Sequence, residues 1–462
     1  MRLVCKKKRK MIKLKKGENM KIALLGFGLE TQSAMNFLAK KYKDAEFEIY
    51  DQRAESKIES PRNAKIFLGV KDFSEIEADL IVRTPAVNPR RLSSSKITSV
   101  TNLFFENCPA KIIGVTGSKG KGTTASFVAE ILKSAGVKTH LLGNIGVPAL
   151  DKIDEISPND AVVYELSSFQ LWDAQKSPFV AILNNIEPDH LDVHDGFDDY
   201  VAAKMNIALK QTKNDFFIYN SENQVVEKAV ENSKNRLCGT LQNFPNKKLA
   251  HIQEGYFYWG EKRLFETSIL KLAGEHNQKN ALAAMIATFD FLNNQGKSME
   301  EIIKAWREGL SKFEGLPHRL KFVREINGVK FYDDSIATTP GSAIAAMNAF
   351  AEPKVLILGG SDKGADLSEL ISRISESSID ELREVILIGK EAEKLNSKLK
   401  GKNFTRIKNL GLNTTMQQVV KTAFADAQSG DVVILSPAHA SFDMFKSYVD
   451  RGEQFIEAVN NL

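Results

Sequence analysis

A glycine-rich segment, residues 114–124, carries the clearest chemistry in the sequence. It reads Gly-Val-Thr-Gly-Ser-Lys-Gly-Lys-Gly-Thr-Thr and lies between an apolar run and a helical pattern. Gly117 and Gly120 allow backbone N–H groups to face a triphosphate. Lys121 supplies positive charge to the β- and γ-phosphates, and the hydroxyl of Thr123 or of the next threonine can bind Mg²⁺. The motif is an imperfect Walker A sequence, and it predicts ATP binding.

Three polar residues further along the chain suit a metal and an acidic substrate. Glu165 ends a predicted strand, where its carboxylate can meet a phosphate-bound metal. His190 follows the next strand, and Lys204 comes fourteen residues later on the next helix. Each alone has an ordinary interpretation: a solvated strand end, a loop histidine and a surface lysine. Together, at the carboxyl ends of strands in a sheet that begins with a phosphate loop, they predict an active site.

A second pair of glycines, Gly26 and Gly28, falls between a strand and a helix, and Asp51 ends the next strand. This pattern resembles a dinucleotide-binding fingerprint, although Thr31 stands where the third glycine belongs. A glycine-rich turn can bring a helix N-terminus against any phosphate. NAD, another nucleotide-linked ligand and a plain tight turn therefore all remain open for this segment.

The elements that position these residues alternate between short aliphatic strands and amphipathic helices, as in α/β proteins with mostly parallel sheets. A chain of 462 residues is long enough for three domains, and three blocks can be separated, 21–109, 110–315 and 316–462. Strands are predicted at 22–26, 46–51, 66–69, 80–83, 111–115, 161–166, 180–184, 216–219, 329–333, 354–359, 384–389 and 432–436. Helices are predicted near 30–42, 121–136, 197–211, 275–294, 299–311, 340–350, 366–379 and 441–450.

Charge and composition exclude several classes of protein. Hydrophobic residues at 43% and charged residues at 26% argue against a largely disordered or fibrous chain. Residues 1–20 carry nine Lys or Arg and one Glu, a net charge of +8. Because the whole chain has a net charge of +5, the rest of the chain has a net charge of −3. We expect this leader to be disordered, and we expect no nucleic-acid binding, because the folded part has no excess of basic residues.

No apolar stretch is long enough for a secretory signal or a membrane span. We therefore expect a cytoplasmic protein that does not enter a membrane. The three cysteines lack metal-ligand spacing, so the sequence does not support a zinc site.

Ten short motifs follow one another along 21–462 and carry a resemblance to a known family. They are Thr-Gly-Ser-Lys-Gly-Lys-Gly-Thr-Thr (116–124), Gly-Asn-Ile-Gly (143–146), Glu-Leu-Ser-Ser-Phe-Gln-Leu (165–171), Asp-His-Leu-Asp (189–192), Ala-Ala-Lys (202–204), Gly-Glu-His-Asn-Gln-Lys-Asn (274–280), Gly-Leu-Pro-His-Arg (315–319), Asp-Asp-Ser (333–335), Gly-Gly-Ser-Asp-Lys-Gly (359–364) and Ser-Pro-Ala-His-Ala-Ser-Phe-Asp (436–443). With these motifs in this order, the sequence resembles the Mur ligases.

The resemblance implies a three-domain α/β protein, with a Rossmann-like UDP-binding domain, a central P-loop ATPase domain with a mostly parallel sheet, and a Rossmann-like C-terminal domain that binds an amino acid. It implies an ATP-dependent amide ligase that works through an acyl phosphate. Within the family it implies most closely the addition of D-glutamate to UDP-N-acetylmuramoyl-L-alanine in peptidoglycan precursor synthesis. A monomer is expected.

The resemblance also implies roles for particular residues. Those at the UDP-linked substrate would be Gly28, Leu29, Glu30, Thr31, Asp51, Arg53, Thr84, Pro85 and Asn144. Those at ATP would be Gly117, Ser118, Lys119, Gly120, Lys121, Gly122, Thr123, Thr124, Asn277, Asn280, His318, Arg319 and Asp334. Those at the amino acid would be Thr338, Lys363, Ser441, Phe442 and Tyr448, where the hydroxyl and the N-terminus of the helix predicted after 440 suit an anion. Two Mg²⁺ ions would involve Thr123, Glu165, His190 and Lys204, with Lys204 as a carbamate made from CO₂, and the catalytic residues would be Lys121, Glu165, His190 and Lys204.

The sequence departs from the family at several positions. Ile336 stands where the family usually has a lysine, Lys119 stands in place of an asparagine in the phosphate loop, and Ala86 replaces a glycine. Lys121 followed by Gly122 is closer to folylpolyglutamate synthases, which are relatives that also add glutamate. These departures bear on the amino acid that is added and on the rate rather than on the reaction class.

Other functions remain to be weighed. A folylpolyglutamate synthase would lack a block like 21–109 before the phosphate loop, but a ligase for a different amino acid fits the motifs. A nucleotide-binding module without catalysis would agree with Ile336, although it would not need Lys121, Glu165, His190 and Lys204. An NAD dehydrogenase would leave the phosphate loop without a role.

Overall fold

The structure is a computed structural model that describes residues 20–54, 64–143, 148–191, 193–272, 274–361, 366–402 and 404–462. The basic leader up to residue 19, Asn144 and Lys363 lie outside these ranges. The chain divides into two compact units, Met1–Phe313 and Glu314–Leu462. Each contains mostly parallel sheets with helices on their faces, which confirms the predicted α/β class.

The first sheet has five parallel strands in the order β3-β2-β1-β4-β5. Its central strand is almost wholly apolar, as expected for a strand covered on both faces. The chain reverses its direction of winding between β1 and β4, so a crevice forms at their carboxyl ends. The elements are β1 (Lys21–Leu25), α1 (Leu29–Lys41), β2 (Glu46–Tyr50), β3 (Lys65–Phe67), β4 (Leu80–Arg83), β5 (Ile97–Ser99) and α2 (Val100–Asn107).

The second sheet has six parallel strands in the order β11-β10-β9-β6-β8-β7. Strand β6 lies between β8 and β9, which places the phosphate loop that follows β6 beside the ends of both neighbours. The elements are β6 (Lys111–Thr116), α3 (Lys121–Ser134), β7 (Thr139–Gly143), β8 (Ala161–Glu165), α4 (Ser168–Leu171), β9 (Val180–Leu183), α5 (Phe197–Met205), β10 (Phe216–Asn220), α6 (Gln224–Ser233) and β11 (Thr240–Phe244).

A small antiparallel sheet, β12-β13-β14, and two long helices complete the first unit. Helix α3 packs against both helices. A Cβ atom at Gly309 would lie 2.5 Å from the backbone of Ile131, so glycine permits this close approach. The elements are β12 (Ala250–Gln253), β13 (Tyr256–Trp259), β14 (Lys262–Glu266), α7 (Glu275–Asn294) and α8 (Met299–Lys312).

The first two sheets share one continuous apolar core. Phe104 and Phe105 on α2 pack against Tyr164 of β8, with ring centroids 5.2 and 5.9 Å apart. The two sheets therefore pack against each other within the first unit.

The second unit holds a six-stranded sheet in the order β15-β16-β20-β17-β18-β19. Only β15 and β16 are antiparallel, and Asn327 and Gly328 join them with positive φ angles, as a tight hairpin turn requires. The elements are β15 (Lys321–Ile326), β16 (Val329–Asp333), α9 (Pro340–Asn348), β17 (Lys354–Gly359), α10 (Ser368–Ser375), β18 (Leu382–Ile388), α11 (Ala392–Lys400), β19 (Ile407–Gly411), α12 (Met416–Asp426), β20 (Val432–Leu435) and α13 (Tyr448–Asn460).

Several predicted elements differ from the structure. The helix predicted at 441–450 is wrong, because residues 441–447 form turns and α13 begins only at Tyr448. Ser447 fixes this start, since its Oγ accepts a hydrogen bond of 3.1 Å from the N–H of Asp450. The helices predicted at 197–211 and 366–379 are shorter than expected. The sequence did not predict strands β5, β7, β11–β15 and β19 or helices α2, α4, α6, α11 and α12.

In the part of the chain that the structure describes, no helix is long and apolar enough to cross a membrane.

Candidate functional site

The phosphate loop joins β6 to α3 and depends on two glycines. Gly117 and Gly120 have φ angles of 153° and 80°. A Cβ atom at Gly120 would lie 2.5 Å from Oδ1 of Asn280, and one at Gly117 would lie 3.0 Å from Cβ of Asn184. The loop thus has both the backbone conformation and the close surroundings that only glycine allows, and it presents the N-terminus of α3 to a phosphate.

The segment after β9 holds this loop in place. The Ser118 N–H donates to the carbonyl of Asn185 at 2.6 Å, and the Ser118 Oγ accepts from the N–H of Glu187 at 2.9 Å. The Ser118 hydroxyl also lies 2.8 Å from the hydroxyl of Tyr200 on α5. Lys119 points outward and pairs with the Glu187 carboxylate at 2.8 Å.

A group of polar side chains lines the loop from α3, β9 and α7. The Asn184 amide donates to Thr124 Oγ1 at 2.8 Å, and the Thr124 hydroxyl donates to Asn280 Oδ1 at 3.2 Å. The Asn280 amide in turn donates to Asn277 Oδ1 at 3.4 Å. The structure therefore brings the predicted Asn277 and Asn280 to the phosphate loop. It adds Asn184, which ends the apolar run 180–183 and was not predicted as a site residue.

Lys121 and Lys204 converge on the carbonyl oxygen of Gly117. The Lys121 ammonium donates to the carbonyls of Gly117 and Ser118, both at 3.0 Å. Lys204 Nζ lies 2.7 Å from the Gly117 oxygen and 4.5 Å from the ring centre of Tyr200. Two lysine side chains thus meet at one backbone oxygen of the loop.

Burial changes the acid–base state of Lys204, which is only 2% exposed. Desolvation and the charge of Lys121 hold its pKa well below the ordinary value, while Asp189 and Glu165 oppose this shift. Glu165 is buried at the carboxyl end of β8, in register with Val115 of β6. The lowered pKa favours the uncharged amine of Lys204, in a site that also holds Glu165.

His190 lies on the loop after β9 and is half exposed. Its φ angle is +53°, its Nε2 lies 3.6 Å from Oδ2 of Asp189, and its ring centre lies 5.0 Å from that of Phe169. This positive φ is unusual for a residue other than glycine, which fits a loop shaped by a function.

These side chains fit Mg²⁺ in part. Among the described residues, no three His, Cys, Asp or Glu side chains form a ready metal cluster. The Thr123 hydroxyl and the Glu165 carboxylate are oxygen donors that suit Mg²⁺ held by nucleotide phosphates. The Lys204 amine does not suit Mg²⁺, whereas a carbamate on the same nitrogen would add the oxygen donors that this ion prefers.

Hydrogen bonds connect the glycine turn after β1 to Asp51, the residue that follows β2. Asp51 accepts from the N–H of Phe27 at 2.8 Å and from Nε and Nη2 of Arg53 at 2.8 and 2.7 Å. The Arg53 side chain is the main reason why the pKa of Asp51 lies far below its ordinary value. The Thr31 hydroxyl donates to the Gly26 carbonyl at 2.6 Å, so this residue closes the turn without the third glycine.

The other predicted residues of this crevice lie around the ends of β1 and β4. A Cβ atom at Gly26 would lie 2.6 Å from Cγ2 of Thr84, which shows how closely the two strand ends approach. Leu29 is 74% exposed, and Thr84 and Pro85 are half-buried. Glu30 accepts from Nε2 of Gln170 on α4 at 3.1 Å, and burial raises its pKa.

Arg83, which was not predicted as a site residue, links the first crevice to the second sheet. It is fully buried at the end of β4, and its five N–H groups have five acceptors. Nε and Nη2 bind the carboxylate of Asp173, the first at 2.9 Å, and Nη2 also donates to the Phe169 carbonyl at 3.0 Å. Nη1 donates to the carbonyls of Thr84 and Val87, both at 3.3 Å.

In the second unit, the predicted nucleotide residues lie near the end of β16. His318 Nδ1 lies 2.6 Å from the carboxylate of Asp333. Asp334 accepts from the Ser436 hydroxyl at 2.7 Å and from the N–H of Leu320 at 3.1 Å, and burial raises its pKa to about 7. Arg319 is exposed.

The predicted amino-acid residues of this unit are more dispersed along the chain. Ser441 is buried and Phe442 is 70% exposed on the turns after β20, while Tyr448 starts α13. Thr338 is half-buried on the segment before α9. The start of α13 lies close to the segment after β16, since the Ser335 hydroxyl donates to the Tyr448 carbonyl at 2.8 Å.

Comparison with known proteins adds family information to this geometry. A family model described as the Mur ligase middle domain matches residues 115–288, and one described as the Mur ligase, glutamate ligase domain matches residues 318–439. The chain is 36% identical over 470 aligned positions to a UDP-N-acetylmuramoylalanine–D-glutamate ligase of Acetivibrio thermocellus, with 97% of this chain and 98% of the relative covered. A ligase of the same name from Clostridium acetobutylicum is 35% identical over 469 positions, with 96% and 97% covered.

Solved structures share the fold at lower identity. A MurF structure from Acinetobacter baumannii has a TM-score of 0.56 and 20% identity, and the match covers 96% of this chain and 95% of that one. The UDP-N-acetylmuramate-alanine ligase of Thermotoga maritima has a TM-score of 0.55 and 18% identity, with 96% and 100% covered. At these identities the likeness concerns the fold alone.

Proposed function

Because this chain belongs to the Mur ligase family, we propose that it is the ATP-dependent ligase that adds D-glutamate to UDP-N-acetylmuramoyl-L-alanine in peptidoglycan precursor synthesis. The observation that carries this proposal is the 36% identity, over nearly the whole of both chains, to a relative named for that reaction. The geometry around the phosphate loop supports it, because the loop, two lysines and a buried carboxylate meet there.

In the proposed reaction, the carboxylate of the nucleotide-linked substrate attacks the γ-phosphate of ATP, which gives an acyl phosphate and ADP. The amine of D-glutamate then attacks the acyl carbon, and inorganic phosphate leaves. Lys121 would move from the carbonyls of Gly117 and Ser118 to the phosphoryl oxygens, where its charge is more strongly favoured.

We propose that Thr123 and Glu165 hold one Mg²⁺ and that His190 and Lys204 serve a second. The ions, when bound, would offset the negative charge that gathers on the phosphoryl oxygens. For this role Lys204 must be a carbamate: its neutral amine attacks the carbon of CO₂, an N–C bond forms and one proton is released. The depressed pKa of Lys204 supports this step, because only the uncharged amine is nucleophilic.

The remaining assignments stay predictions. At the first crevice, Gly28, Leu29, Glu30 and Thr31 would meet the phosphates of UDP, with Asp51, Arg53, Thr84 and Pro85 near the base. In the second unit, His318, Arg319 and Asp334 would bind ATP, and Thr338, Ser441, Phe442 and Tyr448 would bind the amino acid. Asn144 and Lys363 keep their predicted roles and lie outside the described residues.

The decisive experiment measures phosphate release by the purified protein with ATP, Mg²⁺, bicarbonate and UDP-N-acetylmuramoyl-L-alanine. We expect release that requires both the nucleotide sugar and D-glutamate and that L-glutamate does not support. Lys121→Ala should reduce it at least 100-fold. Lys133→Ala is the matched control, because Lys133 lies on the last turn of the same helix and pairs with Glu130 on the surface.

Other outcomes would redirect the assignment. Release that depends on a different amino acid would keep the mechanism and change the acceptor, as the departures at Ile336 and Gly122 allow. ATP binding without release for any acceptor would contradict the ligase proposal and favour a non-catalytic nucleotide-binding module.

A further inference from the structure

A buried chain of hydrogen bonds lies behind the proposed metal residues. Nε2 of His194 lies 2.9 Å from the hydroxyl of Ser168, and Nδ1 lies 3.0 Å from the carboxylate of Asp199. Ser168 is 2% exposed, His194 4% and Asp199 7%. The Asp199 carboxylate also accepts from the indole of Trp172 at 3.4 Å and from the N–H of Asp195 at 3.2 Å.

The direction of these hydrogen bonds follows from the charges. The pKa of Asp199 is lowered, because hydrogen bonds from His194 and Asp195 outweigh the effect of its burial. Burial lowers the pKa of His194, which favours the neutral ring. A carboxylate can only accept, so Nδ1 of His194 carries the hydrogen and Nε2 accepts from the Ser168 hydroxyl.

Serine, histidine and aspartate in this order are also the parts of a nucleophilic triad. Ser168 is nevertheless almost wholly buried at the start of α4, where no substrate carbonyl can reach its oxygen. The arrangement therefore holds elements together rather than attacking a substrate.

The hydrogen bonds between Ser168, His194 and Asp199 join the elements that carry the proposed metal residues. Ser168 lies three residues after Glu165, His194 four residues after His190, and Asp199 five residues before Lys204. These pairs lie at the end of β8, on the loop after β9 and on α5.

Phe169 couples the two histidines. Its ring centre lies 5.0 Å from that of His190 and 5.3 Å from that of His194, on which it is stacked. A shift of the His194 ring would therefore move the surface against which the His190 ring rests. Arg90, beyond β4 of the first sheet, forms an ion pair with Asp199 and fixes the other end of the chain of hydrogen bonds.

We propose that His194, held by Ser168 and Asp199, is a positioning residue that sets the mutual geometry of Glu165, His190 and Lys204. This inference rests on the proposed function of those three residues. Groups hydrogen-bonded to metal ligands change metal affinity by about 10–100-fold when they are lost. His194 acts through Ser168, Asp199 and Phe169, so we expect an effect near the lower end of this range. In this proposal His194 acts through these neighbours and not by contact with substrate or metal.

The test compares His194→Phe with His140→Phe in the full-length protein. Phenylalanine at 194 keeps the packing against Phe169 and Trp172 but loses both hydrogen bonds. His140 is a matched control, because its Nε2 lies 2.7 Å from the Asp160 carboxylate near the amino end of β7, away from the site. Three quantities are measured: Mn²⁺ binding, the melting temperature and phosphate release. Mn²⁺ binding is monitored by electron paramagnetic resonance in the presence of a non-hydrolysable ATP analogue and bicarbonate.

We expect His194→Phe to weaken Mn²⁺ binding about 10-fold or more and His140→Phe to lower only the melting temperature. His194→Gln can donate to Asp199 and accept from Ser168, so it should recover part of the Mn²⁺ affinity. Equal Mn²⁺ affinity in His194→Phe and the wild type, with a lower melting temperature in the variant, would overturn the proposal.

Ser168→Ala is the second variant if His194→Phe does not fold, since it removes a single hydroxyl. A folded Ser168→Ala protein with unchanged Mn²⁺ affinity would also overturn the proposal. The Mn²⁺ readout needs no amino acid, so a wild-type protein that binds Mn²⁺ but releases no phosphate would contradict the proposed function alone.

Discussion

Asp290 is a carboxylic acid held in the core of the first unit, on α7. One of its oxygens accepts from Nε2 of Gln242 at 3.2 Å, and the other has no hydrogen-bond partner among the described residues. Burial raises its pKa from 3.8 to about 7. The folded chain therefore binds a proton more tightly than the unfolded chain, so the free energy of unfolding falls as pH rises from about 4 to 7.

Asp290→Asn removes this dependence, because the amide keeps a similar shape and does not ionise. We expect the variant to be more stable than the wild type by about 1–3 kcal/mol at pH 8 and by less at pH 5. Urea unfolding at both pH values measures the difference. A gain of the same size at both would mean that ionisation of Asp290 is not its cause.

Lys204 gives a second prediction at the scale of single residues. If it is a carbamate, ¹³C-labelled bicarbonate should produce a carbamate signal in the nuclear magnetic resonance spectrum of the wild type. The Lys204→Met variant should lack that signal, and its rate of phosphate release should be at least about 100-fold lower. Lys210→Met changes an exposed lysine shortly after α5 and should retain both.

At the scale of elements, α3 offers an internal comparison between its two ends. Gly120 before the helix and Gly136 after it both have left-handed φ angles, of 80° and 79°. Alanine at either position should cost roughly 1–2 kcal/mol of stability through this conformation. Only at Gly120 would the new Cβ meet neighbours, whereas at Gly136 nothing lies within 4 Å.

Gly120→Ala should therefore weaken ATP binding more than 10-fold, as measured by isothermal titration calorimetry, while Gly136→Ala should leave it unchanged. A similar loss in both variants would show that strain in the helix, rather than the shape of the phosphate loop, controls the affinity.

Element types could be predicted well where a pattern was long and apolar. The strand at 161–166 and the helices at 275–294 and 299–311 are examples. The three-residue strand β5 is too short to give a pattern. Val100 and Thr101 open α2 with β-branched residues that favour strands, so this helix was missed. The error at 441–450 has a local cause, since Ser447 caps a later helix start.

The sequence could predict that several polar side chains lie near the phosphate loop, and their roles stay predictions. Lys121, Glu165 and Lys204 follow strand ends or lie on the next helix, and the structure brings them together. Arg83 and His194 act through partners far away in the sequence, and only the packing of two sheets creates those pairs. No spacing in the chain indicates that Arg83 faces Asp173, ninety residues later.

At the scale of the whole molecule, each unit has its own core and its own buried ion pair. Arg83 with Asp173 belongs to the first unit, and Arg383 with Asp431 belongs to the second. Loss of one partner from a buried pair costs about 3–5 kcal/mol. We expect two calorimetric transitions, one for each unit.

Arg83→Met should lower only the transition of the first unit, and Arg383→Met only that of the second, by a smaller amount because Arg383 is partly exposed. UDP-N-acetylmuramoyl-L-alanine should raise the transition that Arg83→Met lowers. A single transition that both variants lower equally would contradict this division.

The division after Phe313 also has a consequence for how the protein is made. The first unit is synthesised before the 149 residues that follow Phe313, and at about 5–20 residues per second these take roughly 7–30 s. The phosphate loop, the lysines beside it and the crevice after β1 all belong to the segment that emerges first. The nascent chain can thus complete the first unit, and bind a nucleotide there, while its C-terminal sheet is still being translated.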